Sequence, residues 1–99
     1  MLVLQYTFTR PNTSVAFFTS AGNDNIKAAI TAVSESGDLI SFGDSTSANG
    51  LVLTRTMRFP DQASLNRVSA NSVLAANKNA RVAYNSANGI TETVAVGTV

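Results

Sequence analysis

The chain has 99 residues, 44% of them hydrophobic and only 13% charged, with a net charge of +1. An ordinary globular domain carries about 25% charged residues, so solubility here rests on Ser, Thr and Asn, and the scattered Lys and Arg residues argue against a nucleic-acid or anionic-membrane footprint. The absence of both Cys and His excludes disulfides, thiolate chemistry, a His-based triad, and zinc or haem sites built on those ligands.

No metal or cofactor is expected, although a carboxylate-only Mg or Ca site is not excluded by composition. A chain of this length buries roughly two-thirds of its unfolded surface, and one domain spanning residues 1–99 is expected. The Met1-Leu2-Val3-Leu4 run breaks at Gln5 and lacks the basic start and apolar length of a secretory signal. No apolar run approaches the roughly 20 residues of a spanning helix. The expected location is cytoplasmic or virion-associated.

The first predicted element is a strand over Leu2–Thr9. Leu2, Leu4, Tyr6 and Phe8 alternate with Val3, Gln5, Thr7 and Thr9, and period-two alternation marks a strand with one face on a core. Arg10-Pro11-Asn12 ends it, because Pro lacks the ladder donor. Val15-Ala16-Phe17-Phe18 reads as either a strand extension or a linker whose aromatics seal the core edge. The linker is preferred, because Ala21-Gly22-Asn23-Asp24 soon opens a helix. Asn23 or Asp24 caps that helix, and Ile26, Ala29, Ile30 and Val33 share one stripe. Ser36-Gly37 stops it, with Gly supplying the left-handed residue.

Residues 38–43 form the second predicted strand, with Ile40 and Phe42 on one face. Residues 44–50 read as a loop ending in the tight-turn pair Asn49-Gly50. Residues 51–59 form the third strand. Leu51, Leu53, Arg55, Met57 and Phe59 share one face of it, and Val52, Thr54, Thr56 and Arg58 the other. The longest segment without a breaker follows, within residues 59–90. Asp61 caps it, and Leu65 and Val68 begin an apolar stripe that shifts at Asn71-Ser72 to Val73, Leu74, Ala80 or Arg81, and Tyr84. Either one helix kinked near Asn71 or two consecutive helices are expected, closed by Asn88-Gly89. Residues 90–99 form the last strand, where Ile90, Glu92, Val94 and Val96 alternate with Thr91, Thr93, Ala95 and Val99. Gly97 marks a bulge or a close approach.

Strand, helix, strand, strand, helix, strand is the split β-α-β order of an α+β ferredoxin-like sandwich. It predicts a four-stranded antiparallel sheet with helices on one face. Tyr6, Phe8, Phe42 and the stripe of the long helix are expected to dominate the core energy. The opposite face carries Thr7, Thr9, Thr54, Thr56, Thr91 and Thr93, with Arg58 its main charge. Threonine suits an exposed strand, but interface cores are depleted of charge. Self-association through this face, first as a homodimer, is therefore expected.

Few side chains carry chemistry. Asp24 and Asp61 are helix caps. Glu35, Asp38 and Asp44 sit near loop ends as solvated charges. Glu92 shares a side with Val94 and Val96 and is expected to pair with Arg55 across the sheet. Arg81 is expected along a helix surface, with its stem on apolar groups. Tyr6, Arg55 and Tyr84 are the candidate ligand-binding residues, since a Tyr-Arg pair can orient an anionic or phenolic molecule. No catalytic residue is assigned, and no glycine-rich phosphate loop is present. An RNA-binding sheet displays aromatics on its open face. Here that face shows Thr, so nucleic-acid binding is not expected.

By element order the whole chain resembles the ferredoxin-like superfold, including its dimeric α/β-barrel members. In those small monooxygenases and stress-response proteins, two sheets pack open face to open face. The phrases Tyr6-Thr7-Phe8-Thr9-Arg10-Pro11 and Ala83-Tyr84-Asn85-Ser86-Ala87-Asn88-Gly89-Ile90-Thr91-Glu92-Thr93 are similar to small uncharacterised proteins of marine phages or marine metagenomes, a resemblance that implies no known activity. The leading expectation is a non-enzymatic, self-associating structural or accessory protein, viral in one version. The alternative is a dimeric barrel-type small-molecule binder or cofactor-free oxygenase-like enzyme. The first predicts an interior filled by side chains; the second predicts a cavity near Tyr6, Arg55 and Tyr84.

Overall fold

A computed structural model describes residues 1–20 and 22–99; Ala21, named above in the helix-opening segment, lies outside the described residues. The chain runs β1 (Leu2–Thr9), α1 (Asp24–Glu35), β2 (Ser41–Thr46), β3 (Val52–Phe59), α2 (Gln62–Ala70), α3 (Ser72–Ala87) and β4 (Thr91–Thr98). The sheet order is β2-β3-β1-β4, with every neighbouring pair antiparallel. This is the ferredoxin-like α+β fold, with its second crossover made of two helices instead of one.

Each helix begins where a side-chain oxygen takes an otherwise orphaned amide. Asn23 Oδ1 accepts from the Ile26 amide at 3.2 Å, and Asp61 Oδ1 from the Ser64 amide at 2.8 Å. Asn71 stands alone between α2 and α3, in extended geometry, and its Oδ1 accepts from the Val73 and Leu74 amides at 3.0 and 3.1 Å. The break is therefore a stop and a restart in one residue, not a bend. At the far ends Gly37 and Gly89 take φ values of +83° and +69°, which L side chains rarely adopt.

The β1 alternation survives intact. Leu4, Tyr6 and Phe8 are buried toward the helices, where they meet Val33, Leu39, Ile90 and the fully enclosed Phe59. Val15 and Phe17 pack against this cluster from an irregular connection, so the linker reading of that stretch holds.

Three expectations fail. β2 lies later than residues 38–43, because the Asp38 and Leu39 amides bond back to the Val33 carbonyl at 3.1 Å. Pairing with β3 begins only at Ile40, whose amide reaches the Arg58 carbonyl at 2.8 Å. Asp44 to Thr46, expected in a loop, then continue the strand opposite Arg55, Thr54 and Leu53. Phe42 is 47% exposed, not a core residue, because it lies on an edge strand that the helices overhang incompletely. Gly97 marks no bulge: the β1–β4 register runs unbroken from Thr9↔Thr91 to Leu2↔Thr98.

Candidate functional site

The roof over the sheet is incomplete. On the side of α3 nearest the sheet, Ala75 is small and Asn77 and Arg81 are polar where Leu or Ile would fill space, while the exposed Lys78 stands at the cavity's rim. The result is a cavity of about 350 Å³, partly open to solvent, between the sheet and α2/α3. Leu4, Tyr6, Met57 and Phe59 form its floor; Leu65, Val68 and Leu74 form its apolar roof. Ligand pockets of proteins span roughly 300–1,000 Å³ and combine an apolar lining with a few placed polar groups.

The polar groups are cationic. Arg55, Lys78 and Arg81 line the cavity, and no Asp or Glu does. Arg55 is held from the edge strand in two-point geometry, Nε to Asp44 Oδ1 at 2.9 Å and Nη2 to Asp44 Oδ2 at 3.1 Å. Its Cζ lies 5.1 Å from the Phe42 ring centre and 5.7 Å from that of Phe8. Arg81 is only 8% exposed. Its Nε donates to Glu92 Oε1 at 2.9 Å, and Asn85 Nδ2 donates to the same oxygen at 3.2 Å. The guanidinium lies over Tyr6 and Phe8, with Cζ 4.7 and 5.5 Å from the ring centres. The two rings stack at 5.8 Å, 3° from parallel, so a continuous aromatic surface carries both cations. The buried Nη2 of Arg81 has no acceptor among the described residues.

Of the three candidates named from sequence, Tyr6 and Arg55 meet at this cavity, directly opposite each other in the β1–β3 register. Tyr84 does not line it. Its hydroxyl donates to the Ala16 carbonyl at 2.6 Å and its ring packs against Phe18, so it ties the β1–α1 connection to α3. Arg81 takes the expected place of Tyr84. The sequence reading left Arg81 either on the stripe with Leu74 and Tyr84 or along a helix surface; the structure puts it on the inward side, 8% exposed, with its guanidinium over Tyr6. The expected Arg55–Glu92 pair is also corrected. β1 lies between β3 and β4, so Glu92 faces Phe8 across the pairing while Arg55 faces Asp44. Asp44 is thus an ion-pair partner instead of a free loop charge.

On the other side of the sheet, the register aligns Ser45, Thr54, Thr7 and Thr93 in one row across all four strands. Thr9 and Thr91 pair beside that row on one side, and Thr56 lies on the other. Thr7, Thr54 and Thr56 are half-buried, whereas Thr9, Thr91 and Thr93 are exposed. Among the described strand residues of this face Arg58 is the only charged one, and no helix covers it.

Among the described residues no group of three His, Cys, Asp or Glu side chains comes together as a metal site, and no helix is long and apolar enough to cross a membrane. The titration shifts that stand out lie outside the cavity lining. Hydrogen bonds from Arg67 hold the Asp38 carboxyl below its ordinary value, and the Ser64 amide does the same for Asp61.

No protein-family model matches the sequence, and no curated protein matches it either. Solved structures do match. A dimeric ferredoxin-like protein from an uncultured marine organism superposes with a TM-score of 0.71 at 14% identity, covering 99% of this chain and 94% of that one. SnoaB, a cofactor-independent oxygenase from Streptomyces nogalater, gives 0.67 at 10% identity, covering 99% and 91%. A protein described as an antibiotic biosynthesis monooxygenase gives 0.57 at 12%, covering 100% and 98%. At these identities the likeness is one of fold.

Proposed function

We propose that this chain is a small-molecule-binding protein of the dimeric α/β-barrel type. It associates through the threonine face of its sheet and holds its ligand in the cavity between the sheet and α2/α3. The observation that carries this reading is the cavity of about 350 Å³, with an apolar floor and roof and three cations in its wall. A purely structural component, viral or accessory, calls for an interior filled by side chains, and Ala75, Asn77 and Arg81 stand where filling residues would be. The dimer is supported by the sparsely charged face, where Arg58 is the one charged strand residue among those described, and by the dimeric fold neighbour. Oxygenation of the bound molecule without a cofactor is a second reading, favoured by the neighbour described as a cofactor-independent oxygenase.

The test uses N-phenyl-1-naphthylamine, a neutral dye that fluoresces in apolar sites. The wild-type protein should raise its emission saturably, with one site per chain. Ala75→Phe, which pushes a ring into the cavity from α3, should remove that response while leaving the far-ultraviolet circular dichroism unchanged. A response that survives Ala75→Phe, or no saturable response from the wild type, sinks the pocket reading.

A further inference from the structure

The charge balance of the cavity wall specifies its ligand more narrowly than its volume does. Three cations face the cavity and no acid does. Two of the three are committed to carboxylates outside the lining, Arg55 to Asp44 and Arg81 to Glu92. Lys78 has no carboxylate within ion-pair reach among the described residues. One positive charge is thus left over.

The commitment of Arg81 is itself partial. Glu92 takes its Nε, while the buried Nη2 has no acceptor. A guanidinium presents five donors in a planar fork, and an unsatisfied buried donor is costly to leave. The stacked Tyr6 and Phe8 rings hold this fork in place from below. Tyr6 lines the same cavity. Ser69, Asn77 and Asn79 add neutral polar groups at the helix side, and the remaining lining is apolar.

We infer that the ligand is a small organic monoanion: a ring-bearing apolar body with one carboxylate-like group. The anionic group sits at Arg81 and Lys78, and the body lies over Leu4 and Met57 toward Leu65 and Val68. This assignment rests on the pocket reading above and adds the ligand's charge to it. A dianion would exceed the one uncompensated cation. A cation would meet three like charges in a partly desolvated wall, where repulsion is stronger than in water.

The experiment compares 2-naphthoate with 2-naphthalenemethanol, which share one ring system and differ in charge. Binding to the full chain is measured by titration calorimetry. The acid should bind roughly tenfold or more tightly than the alcohol, the ratio expected for one charge-assisted hydrogen-bonded contact. Lys78→Gln, at an exposed helix position, should reduce acid affinity and leave alcohol affinity unchanged. Arg81→Lys keeps a cation for Glu92 but loses the planar fork; it should reduce the ratio further. Equal affinity of acid and alcohol in the wild type overturns the anion assignment while leaving the pocket reading intact. An unchanged ratio in Lys78→Gln together with Arg81→Lys overturns it too. Saturable binding of neither compound removes the pocket reading itself. Acid binding that persists in Ala75→Phe places the anion outside the cavity and also overturns the assignment.

Discussion

Asp38 and Arg67 show how far one pair of side chains can reach in this fold. Arg67 Nη2 donates to Asp38 Oδ1 at 2.8 Å, and Nε shares both carboxylate oxygens at 3.1 and 3.2 Å. The bond links α2 to the segment before β2, where the chain is held away from β3. Arg67's hydrogen bonds depress the Asp38 pKa from its ordinary 3.8. The unfolded chain therefore binds more protons than the native one as pH falls through that range. The contribution of the pair is present above 3.8 and is lost as pH drops toward the depressed native value. The stability advantage of wild type over Asp38→Asn should accordingly shrink between about pH 5 and about pH 2 in urea titrations. It should also shrink in added salt, because exposed pairs are screened. An advantage that grows on acidification would contradict the assignment. None of this pairing was legible in the sequence, where Asp38 is one of several loop-end acids 29 residues from its partner. Arg81 is the same lesson with a functional outcome: its helical position was legible, its burial over Tyr6 was not.

Among the elements, the second crossover was the most legible and the most consequential. Asp61, Asn71 and Asn88-Gly89 mark its start, break and end, and all three signals act within one helical turn. Asn71 closes α2 and opens α3 with a single side chain accepting two amides. Asn71→Ala should destabilise the protein by about 1 kcal/mol, the usual loss for a removed N-cap, read as a lower midpoint in urea with an unchanged slope. A gain in stability would mean that a continuous helix is the better solution and that the break carries strain. The strands were less legible at the hairpin. Asp44 to Thr46 read as loop because Asp, Ser and Thr are turn formers. Pairing with Arg55, Thr54 and Leu53 overrode that local preference. Phe42 failed for a related reason, since its aromatic character suits a core but its strand sits at the sheet edge. Val94 and Val96, 55% and 59% exposed on the same side of the other edge strand, repeat the pattern.

The whole molecule is a slab, 38 × 30 × 19 Å. Nineteen ångströms accommodates one sheet and one helix layer, so among the described residues nothing covers the threonine face. This uncovered face favours the proposed dimer. Light scattering at high micromolar concentration should give the mass of two chains, and small-angle scattering a radius of gyration above the 13.7 Å of one chain. Thr7→Lys, at the centre of the row formed with Ser45, Thr54 and Thr93, should return the mass of one chain. Two like charges brought together across a desolvated face destabilise it. A wild-type protein that is monomeric under these conditions would remove the dimer from the proposal and leave the cavity standing.

The sequence by itself determined what depends on neighbours within a turn or two. That covers the six-element order, the break near Asn71, the Asp61 cap, the faces of β1, β3 and β4, and the absence of thiol and imidazole side chains. Only the tertiary structure decided which strands are edges, which carboxylate each arginine meets, and that α3 leaves a cavity above Tyr6 and Arg55. These outcomes depend on contacts between residues far apart in the chain, as when β1 enters between β3 and β4. Periodicity fixes which way a side chain points, but what it meets there is set by whichever element packs across from it.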